Sequence, residues 1–212
     1  MISERQSEDM QNRWDTFFQK SESNNYMSHI ISYIITWTNG SGKWTVVKYL
    51  AENTGGSIYR ISDIAKQILE AFDIGASREN IGKLSELLRQ SFWEDIYARA
   101  VALFLAEKDS WTFIFDWPRR LSVIETIRGY GITQIIWIET PVMTRYERIR
   151  LREEKFGEST LSYEEFLSQE DDQLTSIRDR ADIIIENDGT REELLMKLAA
   201  IIHVGKRWEF VG

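Results

Sequence analysis

Between residues 37 and 45 the chain reads Trp-Thr-Asn-Gly-Ser-Gly-Lys-Trp-Thr, and no other stretch restricts its fold as tightly. An apolar, β-branched run, Ile30 to Thr36, precedes it, and a helix-like segment, Thr45 to Glu52, follows. A glycine-rich turn between a strand and a helix aims backbone N–H groups and the positive end of the helix dipole at one point. A lysine there adds a full positive charge. Gly40, Ser41, Gly42, Lys43 and Thr45 fit a cradle for phosphate oxygens, with Thr38, Asn39 and Trp44 supplying the rest of its backbone. The bland alternative is an ordinary glycine turn with an exposed lysine.

From residue 29 strand-like and helix-like pieces alternate. Strands are expected at Ile30–Thr36, Ser57–Ile61, Thr112–Phe115, Gln134–Ile138 and Ala181–Glu186. Helices are expected at 45–52, 63–72, after a possible N-cap at Ser77, at 94–107, 122–128, 142–152, 163–169 and 192–202. Apolar strands separated by helices imply an α/β fold, a five-stranded parallel sheet covered on both faces. Such sheets bind ligands beyond the carboxyl ends of their strands. The 37–45 loop, Ser62-Asp63, Asp116–Arg120 and Asn187–Gly189 all follow strands, so they are expected along one edge.

The 212 residues suit one domain with room for an inserted segment, and 42% apolar with 28% charged residues is ordinary for a globular chain. A net charge of −8 argues against nonspecific nucleic-acid binding, so positive charge for a polyphosphate has to be concentrated locally. The chain has no cysteine, which excludes disulfides and thiolate metal sites and suits a reducing cytoplasm, the expected location. The longest apolar runs fall short of the roughly 20 residues a membrane helix needs, and no signal-peptide layout is present. No membrane partner is expected. Residues 1–28 read as a polar extension, 29–203 as the folded domain and 204–212 as a tail. Met27 is a candidate translational start.

Phosphoryl transfer requires a phosphate cradle, a metal held by a hydroxyl or carboxylate, a positioned acceptor and cations for the migrating charge. Lys43 is the cradle's cation. Thr45, on the first helical turn, and Asp116, at the end of a buried strand, are candidate Mg²⁺ ligands, or else local caps. Asp63 is placed to orient or deprotonate an acceptor hydroxyl, or to cap its helix. Arg119 and Arg120 suit a bidentate grip on an acceptor phosphate or carboxylate, against the alternative of exposed loop charge. Arg145, Arg148 and Arg152 share one helical face. They read either as solvated charge or as a lid that closes on phosphates.

In this order the motifs resemble the P-loop small-molecule kinases: nucleoside monophosphate kinases, dephospho-CoA kinase, and an archaeal and bacterial kinase-like family close to both. The carriers are Thr38-Asn39-Gly40-Ser41-Gly42-Lys43-Trp44-Thr45, Ser62-Asp63-Ile64-Ala65-Lys66, Phe115-Asp116-Trp117-Pro118-Arg119, Arg145-Tyr146-Glu147-Arg148, and Ala181-Asp182 with Asn187-Asp188-Gly189-Thr190. The resemblance covers about residues 29–200. It implies a three-layer P-loop fold with a helical lid over about 145–180, ATP and Mg²⁺ as cofactors, and a small nucleotide-like acceptor. It also implies Lys43, Asp63, Asp116 and Arg148 as catalytic residues. Arg145, Arg152, Asn187 and Gly189 would join the loop in binding ATP. A nucleoside monophosphate ranks ahead of dephospho-CoA as acceptor, because the loop has the Gly-Lys-x-Thr spacing.

Trp37, Trp44 and Trp117 depart from the pattern, standing where the resemblance expects glycine, and Trp93 and Trp111 occupy places where glycine reads more naturally. A turn at 37 wants glycine's conformational freedom, and an indole at 44 is expected to crowd the helix start. Three readings compete: a degenerate, non-catalytic relative; deliberate alteration; or UGA codons meant as glycine and rendered as tryptophan. The third is favoured by eight tryptophans beside only 12 glycines. Kinase activity is therefore expected on condition that 37, 44 and 117 are glycine in the native protein. The alternative of another class is a catalytically inactive nucleotide-binding or regulatory module.

Overall fold

Consecutive apolar residues, rather than alternating ones, mark the inner strands of this protein. The structure is a computed structural model and describes residues 30–106, 112–116, 118, 120–152, 161–168 and 173–206. The expected 1–28 extension, Trp111, Trp117, Arg119 and the end of the tail lie outside the described residues, as does the side chain of Arg152.

The elements run β1 (Ile31–Trp37), α1 (Lys43–Thr54), β2 (Ser57–Arg60), α2 (Ile61–Ala71), α3 (Arg78–Ser91), α4 (Ile96–Ala106), β3 (Thr112–Asp116), α5 (Leu121–Arg128), β4 (Ile132–Glu139), α6 (Val142–Arg152), α7 (Tyr163–Ser168), α8 (Gln173–Arg178), β5 (Ile183–Glu186) and α9 (Arg191–Lys206). The fold is α/β, with all five strands in one parallel sheet ordered β2-β3-β1-β4-β5. β1 is central, and β4 pairs with β5 in the register Ile136 to Ile183 through Glu139 to Glu186. Among the described residues no helix is long and apolar enough to cross a membrane.

The chain divides into two compact units. One takes in 33–59, 112–121 and 134–212 and carries the body of the sheet. Ile34, Ile35, Phe113, Ile114, Phe115, Ile135, Ile136 and Ile138 are wholly buried there, so both faces of the central strands are shielded from water. Helix α1 lies against β3 and α9 and buries Val46, Val47 and Leu50. Each such burial contributes roughly 1.5–3 kcal/mol. It ends at Gly55, whose left-handed backbone lets its N–H reach the Ala51 carbonyl at 3.0 Å.

Among the described residues the other unit takes in 30–32, 60–106 and 122–133. Its buried side chains include Ala65 and Leu69 of α2, Tyr97, Val101 and Leu105 of α4, and Val123, Ile124 and Ile127 of α5. Helix α3 lies against α2, and the expected cap at Ser77 forms, its hydroxyl accepting from the Asn80 N–H at 3.1 Å.

Two expectations need correction. The helix expected from Asp63 begins at Ile61, directly after β2, so Asp63 lies within the first helical turn and is not its N-cap. Helix α8 was not anticipated. Among its described side chains Leu174 and Ile177 are buried, too few for a helical period to show.

Candidate functional site

The sheet unit places the 38–42 loop at the carboxyl end of its central strand. Gly40 and Gly42 have φ of 84° and 88°, a region closed to most side chains. Space closes it as well. A Cβ on Gly40 would stand 2.6 Å from the Arg145 carbonyl oxygen, and one on Gly42 would stand 2.5 Å from Asn187 Nδ2. The loop is pulled tight by the Ser41 N–H donating to the Thr38 carbonyl at 3.3 Å. Helix α1 opens at Lys43 with no side-chain cap and no acidic residue in its first turn. Among the described residues no side chain caps this positive end, an arrangement that suits an anion.

Strand β3 neighbours β1 in the sheet, which brings Asp116 beside this loop. Lys43 Nζ stands 3.2 Å from Asp116 Oδ1, the lysine side chain 29% exposed and the carboxylate 6%. A buried carboxylate held against a partly exposed ammonium keeps both charges at one place on the rim. Ser41 Oγ is buried and has no hydrogen-bond partner among the described residues, a cost of about 1–3 kcal/mol that a bound acceptor removes. No three His, Cys, Asp or Glu side chains cluster as a metal site among the described residues.

Arg145 and Arg148 of α6 turn toward the loop and the 187–189 turn. Arg145 is 5% exposed; its Nε donates to the Thr140 carbonyl at 3.1 Å and its Nη1 to the Asn39 carbonyl at 3.3 Å. Its guanidinium lies 5.4 Å from the centre of the Phe166 ring. Arg148 donates to the carbonyls of Asn187, at 3.0 Å, and Gly189, at 3.3 Å. Asn187 is buried, and its Nδ2 donates to the Ser41 carbonyl at 2.7 Å. Thr140 Oγ1 reaches the same carbonyl at 3.4 Å. Thr140 and Phe166 are participants that sequence reasoning missed. A Thr-Pro pair after a strand signals only a turn, and one phenylalanine in a short helix signals only core.

Lys43, Asp116, Ser41, the two loop glycines, Asn187, Arg145 and Arg148 therefore gather in the sheet unit. Thr45, with Trp44, Lys48, Tyr49, Glu52, Arg191 and Leu195, lines a concavity of about 200 Å³ on α1 and α9. Arg120 follows β3 and is partly exposed. Asp63 belongs to the other unit, where Lys66 Nζ stands 2.7 Å from its Oδ1.

The arguments for glycine at the tryptophan positions divide. Trp37 is the last residue of β1 and its backbone is strand, open to any residue, so the conformational case for glycine there is corrected; the loop needs glycine at 40 and 42 instead. The crowding expected of Trp44 is relieved by its outward placement, 39% exposed with Lys48 Nζ 5.3 Å from the ring centre. Trp93 is partly exposed beneath Arg99, 4.7 Å from the ring, with no positive φ.

No family model matches the chain. It is similar to a UPF0200 protein of Hyperthermus butylicus, 29% identical over 139 residues, covering 66% of this chain and 73% of that one. A UPF0200 protein of Thermococcus kodakarensis is 29% identical over 169 residues, 76% and 90% of the two chains. Among solved structures, TT1252 from Thermus thermophilus superposes with a TM-score of 0.56 at 21% identity, covering 87% of this chain and all 100% of that one. A shikimate kinase from Bacteroides thetaiotaomicron gives 0.53 at 14%, covering 82% and 98%. A gluconokinase from Sinorhizobium meliloti gives 0.51 at 14%, covering 86% and 98%. The chain shares with these kinases the α/β fold of the P-loop kinases.

Proposed function

We propose that this protein is a cytoplasmic kinase that moves the γ-phosphoryl group of ATP onto a small, nucleotide-like acceptor with the help of Mg²⁺. One observation carries the reading: an uncapped helix N-terminus behind two left-handed glycines, with Lys43 3.2 Å from the buried carboxylate of Asp116. Backbone N–H groups, a lysine charge and a carboxylate at one strand end are the components phosphoryl transfer requires.

In this reading the 38–45 backbone holds the ATP phosphates, and the Lys43 ammonium offsets charge on the β- and γ-oxygens. Asp116 and the Thr45 hydroxyl are hard oxygen donors, the kind Mg²⁺ accepts alongside phosphates and water. When bound, the ion neutralises charge shared by the β- and γ-phosphates. Asp63 orients the acceptor, taking the proton where the attacking group is a hydroxyl, as in dephospho-CoA; the phosphate oxygen of a nucleoside monophosphate has none to give up, and Arg119 and Arg120 grip that anionic group. Arg148 and Arg152 supply cations from α6, and the 187–189 turn borders the base. The loop spacing favours a nucleoside monophosphate as acceptor, with dephospho-CoA second.

Trp44, half-exposed on the first turn of α1, favours a second reading, a nucleotide-binding module that does not turn over. One comparison separates the two. ATP titration and a phosphoryl-transfer screen over nucleoside monophosphates and dephospho-CoA are run on the chain as written and on a version with glycine at 37, 44 and 117. Turnover by the glycine version is expected, with weak ATP binding by the other. ATP binding without transfer to any acceptor sinks the kinase reading. UGG codons at the three positions remove the recoding explanation.

A further inference from the structure

Arg145 was expected to touch ATP, as one of three arginines on a lid face. Its surroundings describe another task. The side chain is 95% removed from solvent, and its fork spans two segments, the Thr140 carbonyl at the exit of β4 and the Asn39 carbonyl in the phosphate loop. The Phe166 ring of α7 lies under the guanidinium plane. Its backbone carbonyl faces Gly40 so closely that no side chain fits between them.

We propose that Arg145 is a positioning residue: it fixes the shape of the phosphate loop by holding the Asn39 carbonyl turned toward α6, and so keeps the loop's N–H groups directed at a ligand. The physical argument is directional. A peptide unit whose carbonyl is pinned on one side presents its N–H on the other, and the loop's anion site consists of such N–H groups. Arginine suits the task because its rigid fork holds two carbonyls at once, whereas a lysine is a single flexible point charge. A loop held in this way loses less freedom when nucleotide binds. Helix α6 is then tied to the loop at its first turn.

The test has a ligand-free arm and a nucleotide arm; only the second rests on the kinase reading. Amide hydrogen exchange is measured in wild type, Arg145→Gln and Arg145→Lys without ligand. Exchange at 39–44 is expected to accelerate tenfold or more in both variants, while amides of β3 and β4 keep wild-type rates. In the nucleotide arm, ADP and ATP affinities should fall by the same factor, because a misshapen loop weakens both. Unchanged exchange at 39–44 in a folded variant overturns the proposal, as does loss of ATP affinity alone, which marks a direct γ-phosphate contact. If neither variant folds, Phe166→Leu removes the ring from beneath the guanidinium and should quicken the same amides; wild-type exchange there overturns the proposal. A wild-type chain that binds no nucleotide defeats the kinase reading, and the exchange arm still decides the role of Arg145.

Discussion

Helices α1 and α9 pack against one another, yet their N-termini are finished in opposite ways. At α9 the Thr190 N–H donates to Glu193 Oε2 at 2.8 Å, and the Glu193 N–H donates to Thr190 Oγ1 at 3.2 Å, a reciprocal capping box. Ser162 and Glu165 make the same arrangement at α7, and Ser77 caps α3. Helix α1 has none of this: a left-handed glycine precedes it, no side chain caps it and no acid lies in its first turn. Helix α2 also lacks a side-chain cap but carries Asp63 in its first turn, whereas α1 has neither, and a start left without a cap gives up about 0.5–2 kcal/mol. The open end stands beside Lys43 and Asp116, which is where a ligand anion would restore that stabilisation.

The comparison breaks most visibly at Lys43. In the version that turns over, Lys43→Met should lower kcat by about 10²–10³-fold, read by ADP release, because a pre-placed charge is lost where charge develops. A drop of less than threefold would show that the open end of α1 does not serve catalysis.

Gly42→Ala sharpens it next. The residue sits at φ 88° with Asn187 Nδ2 in the way of a Cβ, so urea melts should show a loss of roughly 1–2 kcal/mol from the backbone alone. ATP binding should fall with it. At a capped end the effect has the opposite character. Ser77→Ala should cost about 1 kcal/mol in the same melts and leave ATP affinity unaltered.

The smallest effect is one of pH. Accepting hydrogen bonds from the Ser162 N–H and then its hydroxyl lowers the pKa of Glu165 from its ordinary 4.5. The charged form is thus favoured on folding, and its contribution is complete above pH 4.5 and fades as pH falls through the lower folded value. Wild type should exceed Glu165→Gln in stability at neutral pH, with the gap closing in acid. A gap that widens in acid would contradict this account of the box.

Much of the architecture was legible because buried parallel strands are written as consecutive apolar residues. The runs at 30–36, 112–115 and 134–138 each became a strand with boundaries shifted by three residues or fewer. Helix α6 was legible to its ends, Val142 and Arg152. The start of α2 was misplaced because no turn separates it from β2, and sequence punctuation marks turns. The loop of the site could be read from its glycines. The partners of the arginines could not, since a spacing of three and seven says that side chains share a face but not which way that face looks.

What the sequence determined alone was local: where the chain extends, where it coils, and that a glycine-rich turn with a lysine joins the first strand to the first helix. Its periodicities and φ requirements are properties of neighbouring residues, so one dimension suffices to express them. The tertiary structure decided which distant groups meet. Setting β3 beside β1 brought Asp116 to Lys43, and turning α6 inward buried Arg145 against the loop carbonyl of Asn39. Those contacts depend on strand order and on which helical face finds the core, and both are settled by packing the whole chain at once.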